Sequence, residues 1–187
     1  MIFFMFFGAT LIAQNFELQL LHYADVDGNE ESALDAVDEF SALVDFFQND
    51  PTYASNTLTV TSGDLIIPGP RFYAAENTAV RSLSGSNEPG HLDIAFANAF
   101  GVDASGFGNH EFDQGPGELF DAAFSSESSN GVTFPGSNFP WLSTNIDFTA
   151  DGDFSGVVGT DGDNVTNLNS QVAKYAIVTI DGETIGL

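Results

Sequence analysis

The chain has 187 residues, an apolar fraction of 43% and a formal net charge of −24, from 3 Lys and Arg against 27 Asp and Glu. That length and apolar content suit one folded domain with its own core. Binding a nucleic-acid backbone or an anionic membrane surface takes clustered cations, and Arg71, Arg81 and Lys174 are too few and too scattered to supply them, so polymeric nucleic acid is excluded as a partner.

There is no cysteine, hence no disulfide and no thiolate chemistry, and any metal ion would be held by oxygen and imidazole. The charge also predicts self-repulsion that salt relieves. A saline environment would fit, and stability that did not rise with added salt would count against it.

Residues 1–13 (MIFFMFFGATLIA) form an apolar run too short for a bilayer span, which takes about 20 residues. It is read as a secretory signal with Ala13 at its cleavage point, although the usual positive start is missing; a buried first strand is the alternative. A secreted or periplasmic location without a transmembrane segment follows from the signal reading.

Residues 16–24 (FELQLLHYA) have the pattern of a buried strand and end on Asp25-Val26-Asp27-Gly28. Residues 30–48 carry Leu34, Val37, Phe40, Leu43, Val44 and Phe47 at helical spacing, an amphipathic helix for one face of a sheet. Pro51 ends it. Residues 57–62 (TLTVTS) form a short β-branched strand that runs into Gly63-Asp64 and then the Pro68-Gly69-Pro70 turn. Strand, helix, strand with an acid after each strand is a βαβ unit presenting carboxylates along one edge.

Residues 71–88 are mixed and polar, and residues 91–100 (HLDIAFANAF) read as a helix. A short strand at 102–107 leads into Gly108-Asn109-His110-Glu111-Phe112-Asp113, with the Gly115-Pro116-Gly117 turn behind it. A helix begins at 119–124 and a strand at 140–146. Residues 147–169 are an acidic, Gly/Asp-rich insertion without apolar period, read as a surface excursion. Residues 172–180 (VAKYAIVTI) read as one strong strand, followed by a hairpin turn at Asp181-Gly182.

The 108–113 loop packs an amide, an imidazole and two carboxylates into six residues. An amide oxygen is a hard ligand, an imidazole is both ligand and acid/base group, and a carboxylate can hold that imidazole in one tautomer. Alone such a loop is a weak signal. Three loops with metal-type ligands, each after a predicted strand, are a much stronger one: Asp25 and Asp27, then Asp64, then Asn109 and His110.

The joint pattern of LQLLHYAD at 18–25, SGD at 62–64 with IPGP at 67–70, GNHEFD at 108–113 with Gly115, FPWLSTNI at 139–146 and GETIGL at 182–187 resembles the N-terminal part of the calcineurin-like metallophosphoesterases, in their 5'-nucleotidase-like branch. The resemblance implies an α/β fold, the four-layer αββα sandwich of the metallo-dependent phosphatases, here incomplete over residues 16–187. It implies a two-metal site with Asp25 on one ion, Asp64 bridging both and Asn109 on the second, and a catalytic dyad of His110 and Asp113. The implied activity is metal-dependent phosphoester hydrolysis of a small phosphorylated substrate, a nucleotide first.

Two departures stand out. The usual first motif is Asp-x-His, whereas this chain has Asp25-Val26-Asp27; Asp27 is either a ligand or a turn residue, and as a ligand it favours Mn, Mg or Ca over Zn. The later histidines of the family, including a Gly-His-x-His segment, are missing, so the chain reads as a fragment inactive by itself. His22 is expected to be a hydrogen-bonded packing residue, His91 an exposed one, and Arg71, after the IPGP turn, a surface residue, with approach to a phosphate as the alternative.

A rival reading is a catalytically inactive, extracellular acidic or calcium-binding module. Residues 151–156 (DGDFSG) match the first half of a calcium loop, but position twelve is Gly162 where a bidentate glutamate belongs. A solvated acidic loop accounts for the stretch more simply.

Overall fold

A computed structural model gives the fold, and it describes residues 15–26 and 35–187. The signal-like run and Asp27 lie outside the described residues. Five parallel strands form the central sheet: β1 (Gln19–Tyr23), β2 (Thr57–Thr61), β3 (Ala104–Ser105), β6 (Trp141–Leu142) and β7 (Val172–Ala173), side by side in that order. The hairpins β4 (Glu127–Ser129) with β5 (Val132–Phe134) and β8 (Ile177–Ile180) with β9 (Glu183–Gly186) are separate and antiparallel. The helices are α1 (Val37–Gln48), α2 (Thr78–Ser84), α3 (His91–Ala99) and α4 (Pro116–Phe124).

The expected strand–helix–strand unit is present, with β1 and β2 parallel from Gln19 opposite Thr57 to Tyr23 opposite Thr61. β2 is the sheet's β-branched strand. Leu58, Thr59 and Thr61 are buried within it, and β1 and β3 pair along its two edges. β1 is an edge strand, and its Leu20 stays exposed. α1 forms on the predicted spacing, but only Val44 is fully buried while Leu43, Phe46 and Phe47 remain exposed.

The main core lies between the sheet and helices α3 and α4. Ile94, Leu119, Phe134, Phe139 and Trp141 are buried there, and Phe107 packs on Trp141 and Phe148 with ring centroids 4.9 and 5.0 Å apart. The 147–169 excursion is tied down by apolar anchors. Phe154 enters this core, while Val165 and Leu168 build a smaller cluster with Ala173 and Ala176.

Several expectations need correcting. Residues 172–180 make two strands, because the chain leaves the parallel sheet after Ala173 and re-pairs as a hairpin from Ile177. Residues 71–88 include a 3-10 turn at Phe72–Glu76 and the helix α2, capped by Asn77, whose side chain accepts from the Ala79 N–H at 2.9 Å. The hairpin around Asn130-Gly131, both with positive φ, has no counterpart among the predicted elements.

His91, expected to be exposed, is instead fully buried. Its Nε2 lies 2.7 Å from the Asp121 carbonyl, its Nδ1 meets Ser86 Oγ, and its ring stacks on Phe134. His22 does hydrogen-bond, to Ser62 Oγ at 3.2 Å, but it is exposed. Among the described residues no helix is long and apolar enough to cross a membrane.

Candidate active site

Because all strands of the main sheet are parallel, their carboxyl ends share one edge, and the loops leaving β1, β2 and β3 meet there. Asp25 follows β1, Asp64 follows β2, and Asn109, His110 and Asp113 follow β3. The backbone pairing continues past the strands, with Asp25 N–H donating to the Gly63 carbonyl at 3.3 Å and Val26 N–H to the Asp64 carbonyl at 3.0 Å. Asp64 Oδ1 accepts from the His110 N–H at 2.8 Å, which joins the second loop to the third.

Two glycines permit this closeness. A Cβ on Gly63, whose φ is +104°, would collide with the Gly108 nitrogen, and one on Gly108 would collide with Asp64 Oδ1. The Gly-Asp and Gly-Asn-His sequences are thus one packing unit. Asp25 and Asp64 themselves adopt left-handed φ of 53° and 54°. Such a conformation is uncommon outside glycine, though Asp and Asn tolerate it best, and it clusters at functional sites.

Glu111 is the residue that sequence reasoning left without a role. It is 2% exposed, and its carboxylate accepts four backbone N–H bonds: Asp64 at 2.9 Å, Leu65 at 2.7 Å, Ile66 at 3.2 Å and Gly108 at 2.7 Å. Burial raises its pKa, while the four N–H donors pull the other way. A signal for it existed. The apolar stretch Leu65-Ile66-Ile67 is buried beyond the end of a strand, so its N–H groups need an acceptor from elsewhere.

His110 Nδ1 lies 2.6 Å from Asp113 Oδ2, with both side chains about two-fifths exposed at 41% and 40%. That hydrogen bond raises the His110 pKa and directs Nε2 away from Asp113. Arg71, expected at the surface, is instead buried against Asp93.

The donor chemistry fits a hard divalent ion: two carboxylates and an amide oxygen, without thiolate. Asp64 Oδ1 is taken by the His110 N–H, and no described residue donates to Asp64 Oδ2 or to the Asp25 carboxylate. Among the described residues no group of three or more His, Asp or Glu is gathered closely enough to hold an ion. Two acids and Asn109 are what this edge supplies, and Asp27 lies outside the described residues.

No protein-family model matches the sequence, and no curated protein matches it either. Solved structures do. A 5'-nucleotidase precursor from Thermus thermophilus superposes with a TM-score of 0.54 at 24% identity, covering 90% of this chain and 27% of its own. A calcineurin-like phosphoesterase from Bacillus subtilis gives 0.50 at 23%, covering 91% of this chain and 46% of its own. The chain therefore has the mixed α/β, parallel-sheet fold of the calcineurin-like phosphoesterases, as its motifs lead one to expect. It spans less than half the length of either structure.

Proposed function

We propose that this chain carries part of the active site of a metal-dependent phosphoester hydrolase of the 5'-nucleotidase-like kind, acting on nucleotides or related phosphate monoesters. What supports the reading most is the meeting of Asp25, Asp64 and the Asn109–His110–Asp113 loop at the carboxyl ends of three adjacent parallel strands. The names of the two similar structures agree with it.

Asp25, Asp64 and Asn109 would hold the divalent ions, and Asp27 is either a further ligand or a turn residue. When bound, such ions lower the pKa of a water and neutralise phosphoryl oxygens, which also offsets the repulsion of a phosphate ester by a protein at −24. His110 stands on the exposed side of that edge. Through Nε2 it would stabilise charge on the phosphoryl group or protonate the leaving oxygen, and Asp113 holds its tautomer. The remaining ligands would come from the longer protein.

The test is metal-dependent hydrolysis of an aryl phosphate and of a nucleoside monophosphate by the full-length protein, with Mn, Mg, Ca or Zn. His110→Ala is expected to lower kcat by about 10²- to 10⁴-fold, the usual worth of a positioned acid. An unchanged kcat, or activity indifferent to chelator, contradicts the reading.

A further inference from the structure

Arg71 and Asp93 form an ion pair buried on both sides, with side-chain exposures of 3% and 0%. Taking two charges out of water is costly, and an apolar pair of similar volume often serves stability equally well. Packing alone therefore does not explain one of the chain's three cations being buried there.

The contacts of the guanidinium suggest what does. Nε donates to Asp93 Oδ1, and Nη2 donates to the Val26 carbonyl and, at 3.4 Å, to the Leu65 carbonyl. Val26 follows Asp25 and Leu65 follows Asp64, so one cation takes the carbonyl just beyond each left-handed aspartate. Strained backbone persists only where its surroundings over-determine it. The second loop is also held by Glu111. Among the described residues, Arg71 is the charged side chain that binds the backbone of the first loop.

We infer that Arg71, oriented by Asp93, is a positioning residue that holds Asp25 and Asp64 in the backbone conformation presenting both carboxylates to the metal ions. The inference rests on the metal-site reading above. It has a signature that general destabilisation lacks: with Arg71 removed, the ion bound through Asp25 is weakened most, because Glu111 still secures the second loop. Lysine is a poor replacement, since one ammonium lacks the planar fork that reaches Asp93 and both carbonyls.

The experiment is Mn2+ titration of the full-length protein by calorimetry and electron paramagnetic resonance. Arg71→Met/Asp93→Leu removes both charges together, so neither is left buried and alone. His91→Gln, which disturbs a separate buried hydrogen-bond network to Ser86 and Asp121 on the same helix as Asp93, is the control for lost stability. The double variant is expected to bind one of two ions about 10-fold more weakly, as loss of an outer support does, and to lose the coupled Mn–Mn signal, while His91→Gln keeps both.

If the double variant does not fold, Arg71→Lys is read in its place, with the same site weakened to a smaller extent. Two ions bound as in the wild type, or both weakened equally, overturn the inference alone. A wild-type protein that binds no Mn2+ overturns the metal-centre reading and this inference with it.

Discussion

Two regions of this molecule are rich in Asp, Asn and Gly, and their backbones are held in different ways. In the 147–169 excursion the acids serve their own turns. Asp147 Oδ1 accepts from the Thr149 N–H and hydroxyl at 3.1 and 2.6 Å, Asp151 Oδ1 from the Asp153 N–H at 2.9 Å, and Asp163 Oδ1 from the Asn164 N–H and the Asn167 amide at 2.7 and 2.9 Å. Asp161 accepts from the Lys174 N–H at 2.8 Å and pairs with its ammonium at 3.5 Å.

At the edge of the sheet the backbone beside the aspartates is held by other residues, Glu111 and Arg71. What distinguishes the candidate site is a backbone fixed from behind by residues other than its own aspartates.

The sharpest way to break that contrast is at Glu111. Glu111→Ala strands four backbone N–H groups, and urea denaturation should show a loss of about 3–5 kcal/mol together with lost metal binding. A loss below about 1 kcal/mol would mean that water replaces the carboxylate and the clamp is dispensable. Gly108→Ala comes next. It drives a methyl into Asp64, for which about 1–3 kcal/mol is expected, and its Mn2+ affinity should fall further than that of an equally destabilised variant elsewhere.

His91 belongs to neither region and serves as an outside reference. Burial lowers its pKa below the ordinary value of about 6.5. The unfolded chain therefore binds more protons than the folded one as pH falls below about 6.5, and stability drops with it. His110, whose pKa is raised, has the opposite sign, so the two must be separated by mutation. In His91→Gln the fall in stability from pH 7.5 to 5.5 should be smaller than in the wild type; an equal fall would locate the titration elsewhere. The smallest effects belong to the excursion, where Asp147→Ala and Asp163→Ala each loosen an exposed turn and should leave Mn2+ binding untouched. Altered binding there would erase the contrast.

Much of the candidate site's arrangement was legible in the sequence because it depends on local chemistry at strand ends. The βαβ unit, the three acid-bearing loops and the His110–Asp113 pair all lie within short spans. What could not be read depends on contacts between distant residues. Glu111 reaches back 47 residues to Asp64 and Arg71 reaches back 45 to Val26, so neither partner is visible in local pattern.

The same limit explains His91, whose burial is set by Asp121 and Phe134, and the split of residues 172–180, where the apolar run continues though its pairing partner changes. The Asn130-Gly131 turn was legible, but three-residue strands with little alternation gave it no frame.

The most direct test compares the two acid-rich regions in one assay. Mn2+ binding to the full-length protein is measured by calorimetry for the wild type, for Asp25→Asn/Asp64→Asn and for Asp151→Asn/Asp153→Asn. Loss of binding in the first pair with wild-type binding in the second is the predicted result. Binding that survives the first pair and disappears in the second would contradict the account and place the metal in the excursion.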